Sequence, residues 1–313
     1  MRPPDPQIAP HVMMIRPVAF AGNPQTQGSN SFQDRDAGVI DAANQAAALR
    51  EFEALATALD RAGVGVHVFD DTLEPHTPDS IFPNNWVSFH ADGSVVLYPM
   101  MAENRRLERR LDLLEALSAR HGFRASRVID LTGHEQGGRY LEGTGSLVLD
   151  RVQRVAYACV SPRTDLDVLG DFAQQLDYDI VAFEAYDCNG AAIYHTNVLM
   201  SVGERFAAVC TNAIREDERA AVLDTLRQSG RAIVELTLQQ MAGFAGNMLE
   251  LGSSRTGSVI AMSERARDVL TPAQRETLEA SAGAIVATAI PTIERLGGGS
   301  VRCMLAEVHL QRK

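Results

Sequence analysis

Trp86-Val87-Ser88-Phe89-His90, Ala91-Asp92-Gly93, Ser94-Val95-Val96-Leu97-Tyr98 reads as two apolar runs joined by a short polar turn. Asp-Gly between apolar runs is a strong signal for a β-hairpin. A helical stripe follows, with Leu107, Leu111, Leu114 and Leu117 spaced for one face of a helix from about Glu103 to Arg120. A further strand is expected from Ser126 to Leu131.

The same order recurs along the chain. A second hairpin runs from Ser146 to Val160 through Asp150-Arg151, with a helix at Asp165 to Leu176 and a strand at Asp179 to Phe183. A third begins at Asn197, turns at Gly203-Glu204 and returns as Phe206 to Cys210, followed by a helix at Glu216 to Gln228 and a strand at Ala232 to Leu236. A fourth begins at Asn247, turns through Gly252 to Gly257 and returns to Met262; its helix is Pro272 to Ala282 and its strand Ala284 to Ala289. The fifth starts with Val301 to Leu310 and lacks a second half. The N-terminus supplies one: strand Val12 to Arg16, helix Ile40 to Ala62 and strand Val64 to Phe69. Units of roughly 50–60 residues cannot bury their own apolar faces, so they are expected to close around a shared axis as one domain over residues 1–313. The fold class is therefore α/β, a five-bladed pseudosymmetric ββαβ propeller whose last blade is completed by the N-terminus. Residues 1–10, rich in proline, are expected to be a flexible arm. Phe20 to Asp36 is a polar loop long enough to suspect a function, its Gly22 to Gln33 stretch serving as a lid or a substrate contact.

Composition bounds the partners. The chain has 313 residues, 45% hydrophobic and 22% charged, with a net charge of -11. That balance argues against a nucleic-acid partner, which would call for clustered Lys and Arg. No apolar run approaches the ~20 residues that span a bilayer, and the N-terminus lacks the apolar core of a signal peptide, so no membrane partner and a cytoplasmic location are expected. Cys159, Cys188, Cys210 and Cys303 match no zinc spacing, and no HExxH is present, so neither a metal nor a cofactor is expected. Cys159 and Cys210 lie inside apolar runs and read as core.

In a closed ring, the residues just before the first strand of each unit converge on the axis. Here they are Asp79 with Asn84 and Asn85, then Glu142, His195, Asn247 and Cys303. Two acids, a histidine and a cysteine at equivalent points suit nucleophilic attack on an sp2 carbon, with Cys303 as thiolate nucleophile and His195 as acid and base. Gly297-Gly298-Gly299-Ser300 before Cys303 permits close approach of the backbone to a ligand.

These residues resemble the guanidino-group-modifying superfamily of arginine deiminases, dimethylarginine dimethylaminohydrolases and amidinotransferases, and within it the citrulline-utilisation hydrolases. The resemblance implies the five-bladed pentein fold. Pro78-Asp79-Ser80-Ile81-Phe82-Pro83-Asn84-Asn85 is similar to a segment whose Asp and Phe hold the substrate, and Arg105-Arg106 to its basic pair. Leu141-Glu142-Gly143 resembles the segment whose Glu grips substrate nitrogens. Val160-Ser161-Pro162-Arg163-Thr164 resembles a stretch whose Arg binds the substrate carboxylate. His195 and Cys303 fall on the catalytic pair. By this resemblance Asp79, Glu142, His195 and Cys303 are catalytic, and Phe82, Asn84, Asn85, Arg105, Arg163, Asn197 and Asn247 bind substrate.

Three family acids are replaced, by Asn85, Gly145 and Asn197. Each change removes negative charge. A guanidinium is best held by paired carboxylates, whereas a neutral ureido carbonyl wants donors such as Asn. The expected activity is hydrolysis of a ureido or guanidino amino acid, foremost citrulline to ornithine, carbon dioxide and ammonia. Arginine deiminase, dimethylarginine dimethylaminohydrolase, amidinotransferase and a non-catalytic binding module of the same fold remain alternatives. The partner is a small amino acid substrate, with assembly into a homo-oligomer left open.

Overall fold

The computed structural model describes residues 5–34 and 41–312. Five three-stranded sheets carry the five repeats. In the first, Val87–Phe89 pairs antiparallel with Ser94–Leu97, which pairs parallel with Arg127–Asp130. The same antiparallel-then-parallel pairing joins Leu147–Asp150, Val155–Cys159 and Asp179–Phe183. It recurs in Met200–Val202, Phe206–Val209 and Ala232–Glu235, and in Leu249–Ser253, Gly257–Ser263 and Ile285–Thr288. The fifth sheet joins the chain ends: Ala306–Glu307 pairs antiparallel with His11–Arg16, which pairs parallel with Gly65–Asp70.

The connecting helices bury one stripe each, because their apolar residues recur at the helical period. Helix Ala42–Arg61 buries Ala48, Phe52, Leu55, Ala56 and Leu59, and Asp41 caps it by accepting from the Ala43 and Asn44 amides. Helix Leu166–Leu176 buries Val168, Leu169, Phe172, Ala173 and Leu176 behind an Asp165 cap. Pro272–Ser281 starts with Pro272 in its first turn and a Thr271–Gln274 capping box.

What positions the site is a short helical turn ahead of the first strand in four of the units: Pro83–Asn85, Gly143–Ser146, Thr196–Leu199 and Val301–Met304. These turns are why the third unit's first strand begins at Met200 rather than Asn197. They also explain why the strand expected over Val301 to Leu310 shrinks to Ala306–Glu307.

Three other expectations are corrected. The helix of the first unit is broken into Glu103–Arg106 and Leu111–His121. The break turns the Arg105 side chain into the interior, while Arg109 reaches Glu135. Leu107 and Leu111, read as part of a buried stripe, are half exposed at 51% and 54%. Residues 5–10 are not a loose arm. Gln7 Nε2 donates to the Leu149 and Val202 carbonyls at 2.9 and 3.0 Å, its Oε1 accepts from the Arg151 amide, and Asp5 and Ala9 are buried. Gln7 thereby satisfies backbone groups at strand ends remote from the axial turns, and a buried orphan carbonyl is costly enough to hold the segment there. The rest of the arm, residues 1–4, the loop residues Arg35 and Asp36, the expected helix start at Ile40, and Lys313 lie outside the described residues. Among the described residues, no helix is long and apolar enough to cross a membrane.

Candidate active site

The axial turns and their neighbours bring Asp79, Phe82, Asn85, Arg105, Arg163, His195 and Cys303 to one cavity, closed over by Thr26 and Asn30 of the polar loop and lined further by Tyr194, Gly297 and Gly299. Its free volume is about 10 Å³, the room of a single water. A larger surface depression between Arg127–Asp130 and Asp171, about 580 Å³, holds none of these groups.

Cys303 sits in the turn Val301–Met304, 3% exposed. Two amides donate to its sulfur: Asn247 Nδ2 at 3.3 Å and Asn197 Nδ2 at 3.5 Å. Asn247 is itself oriented by the Arg302 amide, which donates to its Oδ1 at 3.1 Å. The glycine run earns its place by contact. A Cβ on Gly297 would lie 2.7 Å from the Phe82 ring, and one on Gly299 3.0 Å from the same ring and 3.3 Å from Cys303 Cβ.

His195 precedes the turn Thr196–Leu199, and its Nε2 meets Glu142 Oε2 at 2.9 Å. Burial pushes His195 down to about 4, outweighing Glu142, so the ring is neutral near pH 7. Glu142 accepts only, so Nε2 carries the proton and Nδ1 keeps the lone pair. That Nδ1 edge lies over Gly145, where a Cβ would come within 2.7 Å of it and 2.4 Å of Asn85 Nδ2. The family acid replaced by Gly145 therefore has no room here.

Glu142 also accepts from the Met101 amide at 3.1 Å and from Arg163 Nη1 at 3.3 Å. Burial raises its carboxyl, but Arg163, His195 and Arg105 together overcome that and hold it well below the usual carboxylate range. Asp79 differs. Burial raises its pKa against the pull of Arg105 and of an Asn23 hydrogen bond at 2.8 Å. Asp79 Oδ1 and Asn197 Oδ1 are buried with no partner among the described residues, as is Asn84 Nδ2 on the residue beside Asn85.

The two arginines are occupied. Arg163 gives Nε and Nη2 to Ser29 Oγ at 3.1 and 2.6 Å and Nη2 to the Thr26 carbonyl at 3.2 Å, and its guanidinium lies over the Tyr194 ring. Arg105 grips Glu108 with Nε and Nη2, both at 3.0 Å, and gives Nη1 to Asn85 Oδ1 at 2.9 Å. The loop is thus latched shut on Arg163, with Asn30 reaching the Gly297 and Gly298 carbonyls. Beyond it, a vestibule of about 460 Å³ runs from Ser29 and Asn30 to Pro162, Asp187 and Tyr194. The sequence reading did not single out Asn23, Ser29, Tyr194 or Glu108. Asn23 and Ser29 fall within the Gly22 to Gln33 stretch expected to be a lid or a substrate contact, and Glu108 left a local trace as an acid three residues after an arginine on a helical stretch.

A family model for N,N-dimethylarginine dimethylhydrolase, eukaryotic, matches residues 16–310. The chain belongs to the N,N-dimethylarginine dimethylhydrolase family. Solved structures share the pentein fold of this dimethylarginine dimethylhydrolase family member. ArgZ, an arginine dihydrolase from the ornithine-ammonia cycle in Cyanobacteria, superposes with a TM-score of 0.72 at 17% identity. That match covers 95% of this chain and 40% of ArgZ, so this chain spans well under half of the longer protein. Against the N-terminal domain of ArgZ alone, bound to substrate, the coverage is 95% and 97%. A dimethylarginine dimethylaminohydrolase (DDAH) from Pseudomonas aeruginosa, complexed with citrulline, gives a TM-score of 0.63 at 15% identity over 96% of this chain and 99% of that one. No curated protein matches by sequence.

Proposed function

We propose that this protein hydrolyses the ureido group of citrulline, giving ornithine, carbon dioxide and ammonia. The observation that carries the reading is the charge around Cys303. Two buried arginines, Arg105 and Arg163, face Asp79, Glu142 and Glu108. Burial raises both Asp79 and Glu108 toward their neutral forms. A fixed guanidinium cation gains little in such a cavity, whereas a neutral ureido group can use its donors and acceptors alike.

In this reading the loop opens, and the ureido group enters with its nitrogens on Asp79 and Glu142. The substrate carboxylate takes the place of Ser29 on Arg163. Cys303 passes its proton to His195 and attacks the ureido carbon. The bond from that carbon to the side-chain nitrogen breaks, His195 returns the proton to the leaving amine, and ornithine departs from an S-carbamoyl cysteine. Water, deprotonated by His195, then attacks the same carbon and releases carbamate and the thiol. Carbamate falls to carbon dioxide and ammonia. The Asn85 amide, fixed by Arg105, steadies the oxygen as charge develops.

Family membership supports a second reading, hydrolysis of arginine or a methylated arginine at the same carbon. An amidinotransferase would instead pass the amidino group to an acceptor amine. Mass-spectrometric product analysis against arginine, citrulline, dimethylarginine and agmatine, with and without glycine, separates them. Ornithine from citrulline is the expected product. Citrulline from arginine, with citrulline itself inert, overturns the proposal. The assays are run on protein in a reducing buffer, since the described cysteines are all free thiols and a cytoplasmic location is part of this reading.

A further inference from the structure

We propose that Glu108 is a positioning residue that sets the net charge of the Cys303 cavity and thereby its choice between neutral ureido and cationic guanidinium ligands. The inference rests on the reading of this cavity as an amino acid hydrolase site.

Among the described residues, the Glu108 carboxylate hydrogen-bonds to Arg105, which lines the cavity. Both of its oxygens are taken by one face of the Arg105 fork, at 3.0 Å each, and its side chain is 1% exposed. Arg105 in turn stands 3.6 Å from Asp79 Oδ2 and 3.8 Å from Glu142 Oε2, close enough for attraction but beyond hydrogen-bond reach. Glu108 therefore holds Arg105 one step back from the two acids that face the ligand. Freed from Glu108, the fork would turn onto Asp79 and Glu142 and consume the acceptors a ligand nitrogen needs.

The same pair meters charge. With Glu108 ionised, Arg105 meets a full counter-charge behind the cavity; with Glu108 protonated it does not, and the cavity becomes more positive by one charge. Glu108 faces Arg105 on its own stretch of chain, Asp79 from the loop before Phe82, and Glu142 from the second unit. Burial raises its carboxyl to about 8 against the pull of Arg105, with Asp79 and Glu142 pushing the same way as burial. The proton that decides the cavity charge thus exchanges in the range where the protein can be assayed. Rising pH should favour a cation in the cavity.

The test is calorimetric binding of arginine and citrulline to the Cys303→Ala protein from pH 6.5 to 9, with Glu108 present and as Glu108→Gln. Both ligands share the same α-amino titration, so the ratio of their affinities isolates the side-chain charge. With Glu108 present, the arginine-to-citrulline ratio is expected to rise about tenfold across this range. With Glu108→Gln, which keeps an acceptor but no charge, it should stay low and flat, and this separates Glu108 from Asp79. A ratio independent of pH in the Glu108 protein overturns the inference without needing the variant to fold. An equal rise in Glu108→Gln overturns it too. If neither ligand binds the Glu108 protein, the reading of the site falls and this inference with it.

Discussion

The Asn247 side chain donates to the Cys303 sulfur at 3.3 Å while its own oxygen accepts from the Arg302 backbone amide, so the residue that orients the sulfur is anchored to the turn that carries it. Asn247→Ala removes that donor and leaves Asn197 alone. Turnover should fall ~10²-fold, as for loss of one preorganised donor at a reacting centre. Alkylation of Cys303 by iodoacetamide at pH 8, followed by intact mass, should slow in parallel. Unchanged alkylation would show that the contact does not tune the sulfur.

His195 is neutral well below pH 7 because burial brings it down to about 4. If its free base is the form that accepts the Cys303 proton, kcat/KM should show no loss centred on the ordinary histidine value near 6.5. An inflection should appear only as pH falls toward about 4. His195→Asn should lower kcat by ~10²–10⁴-fold at pH 7.5. A tenfold drop in kcat/KM of the unaltered protein between pH 7.5 and 6 would contradict this assignment.

The loop is held by Ser29, whose hydroxyl takes two donors of Arg163. Ser29→Ala deletes both bonds to a charged group, each worth at most about 1.5–3 kcal/mol at this half-buried position. Amide hydrogen exchange in residues 23–33 should quicken at least about tenfold, while exchange in strand Val155–Cys159 stays as it was. Equal exchange in the loop would mean that Asn23 and Asn30 suffice to keep it shut.

The seam where the ring closes is expected to be acid-sensitive. His67 Nε2 lies 3.3 Å from His11 Nδ1, its ring is 4.3 Å from that of His121, and Arg312 stacks on the adjoining Phe123. Burial, with the charges of His121, His11 and Arg312, pushes His67 down to about 4. The folded state therefore resists a proton that the unfolded chain accepts near 6.5, and stability is lost as pH falls from there through about 4. The thermal midpoint should drop over this window, and less steeply in His67→Gln. Parallel curves for the two proteins would locate the acid sensitivity elsewhere.

Most of the ring was readable because its signals are local. Asp92-Gly93 between apolar runs specifies a turn without reference to distant residues, and the same order of turn, helix and strand recurs in each unit. The convergence of Asp79, Glu142, His195 and Cys303 was readable because equivalent positions in a closed ring share the axis. The helix break at Leu107 was not, because it serves Arg105, whose partners Asn85 and Asp79 lie 20 and 26 residues away. Gln7 was misread for the same reason, since it bonds to residues 142 and 195 positions along the chain.

The sequence by itself determined the five repeats, their closure by the N-terminus, and which thiol, imidazole and carboxylates meet at the centre. Periodicity and turn chemistry act within a few residues, and symmetry extends them to the axis. Only the tertiary structure decided how the charges of that centre are paired: Glu108 behind Arg105, and Ser29 and Glu142 on Arg163. Ionisation and hydrogen bonding depend on distances of a few ångströms between residues far apart in the chain, and those distances exist only once the ring has closed.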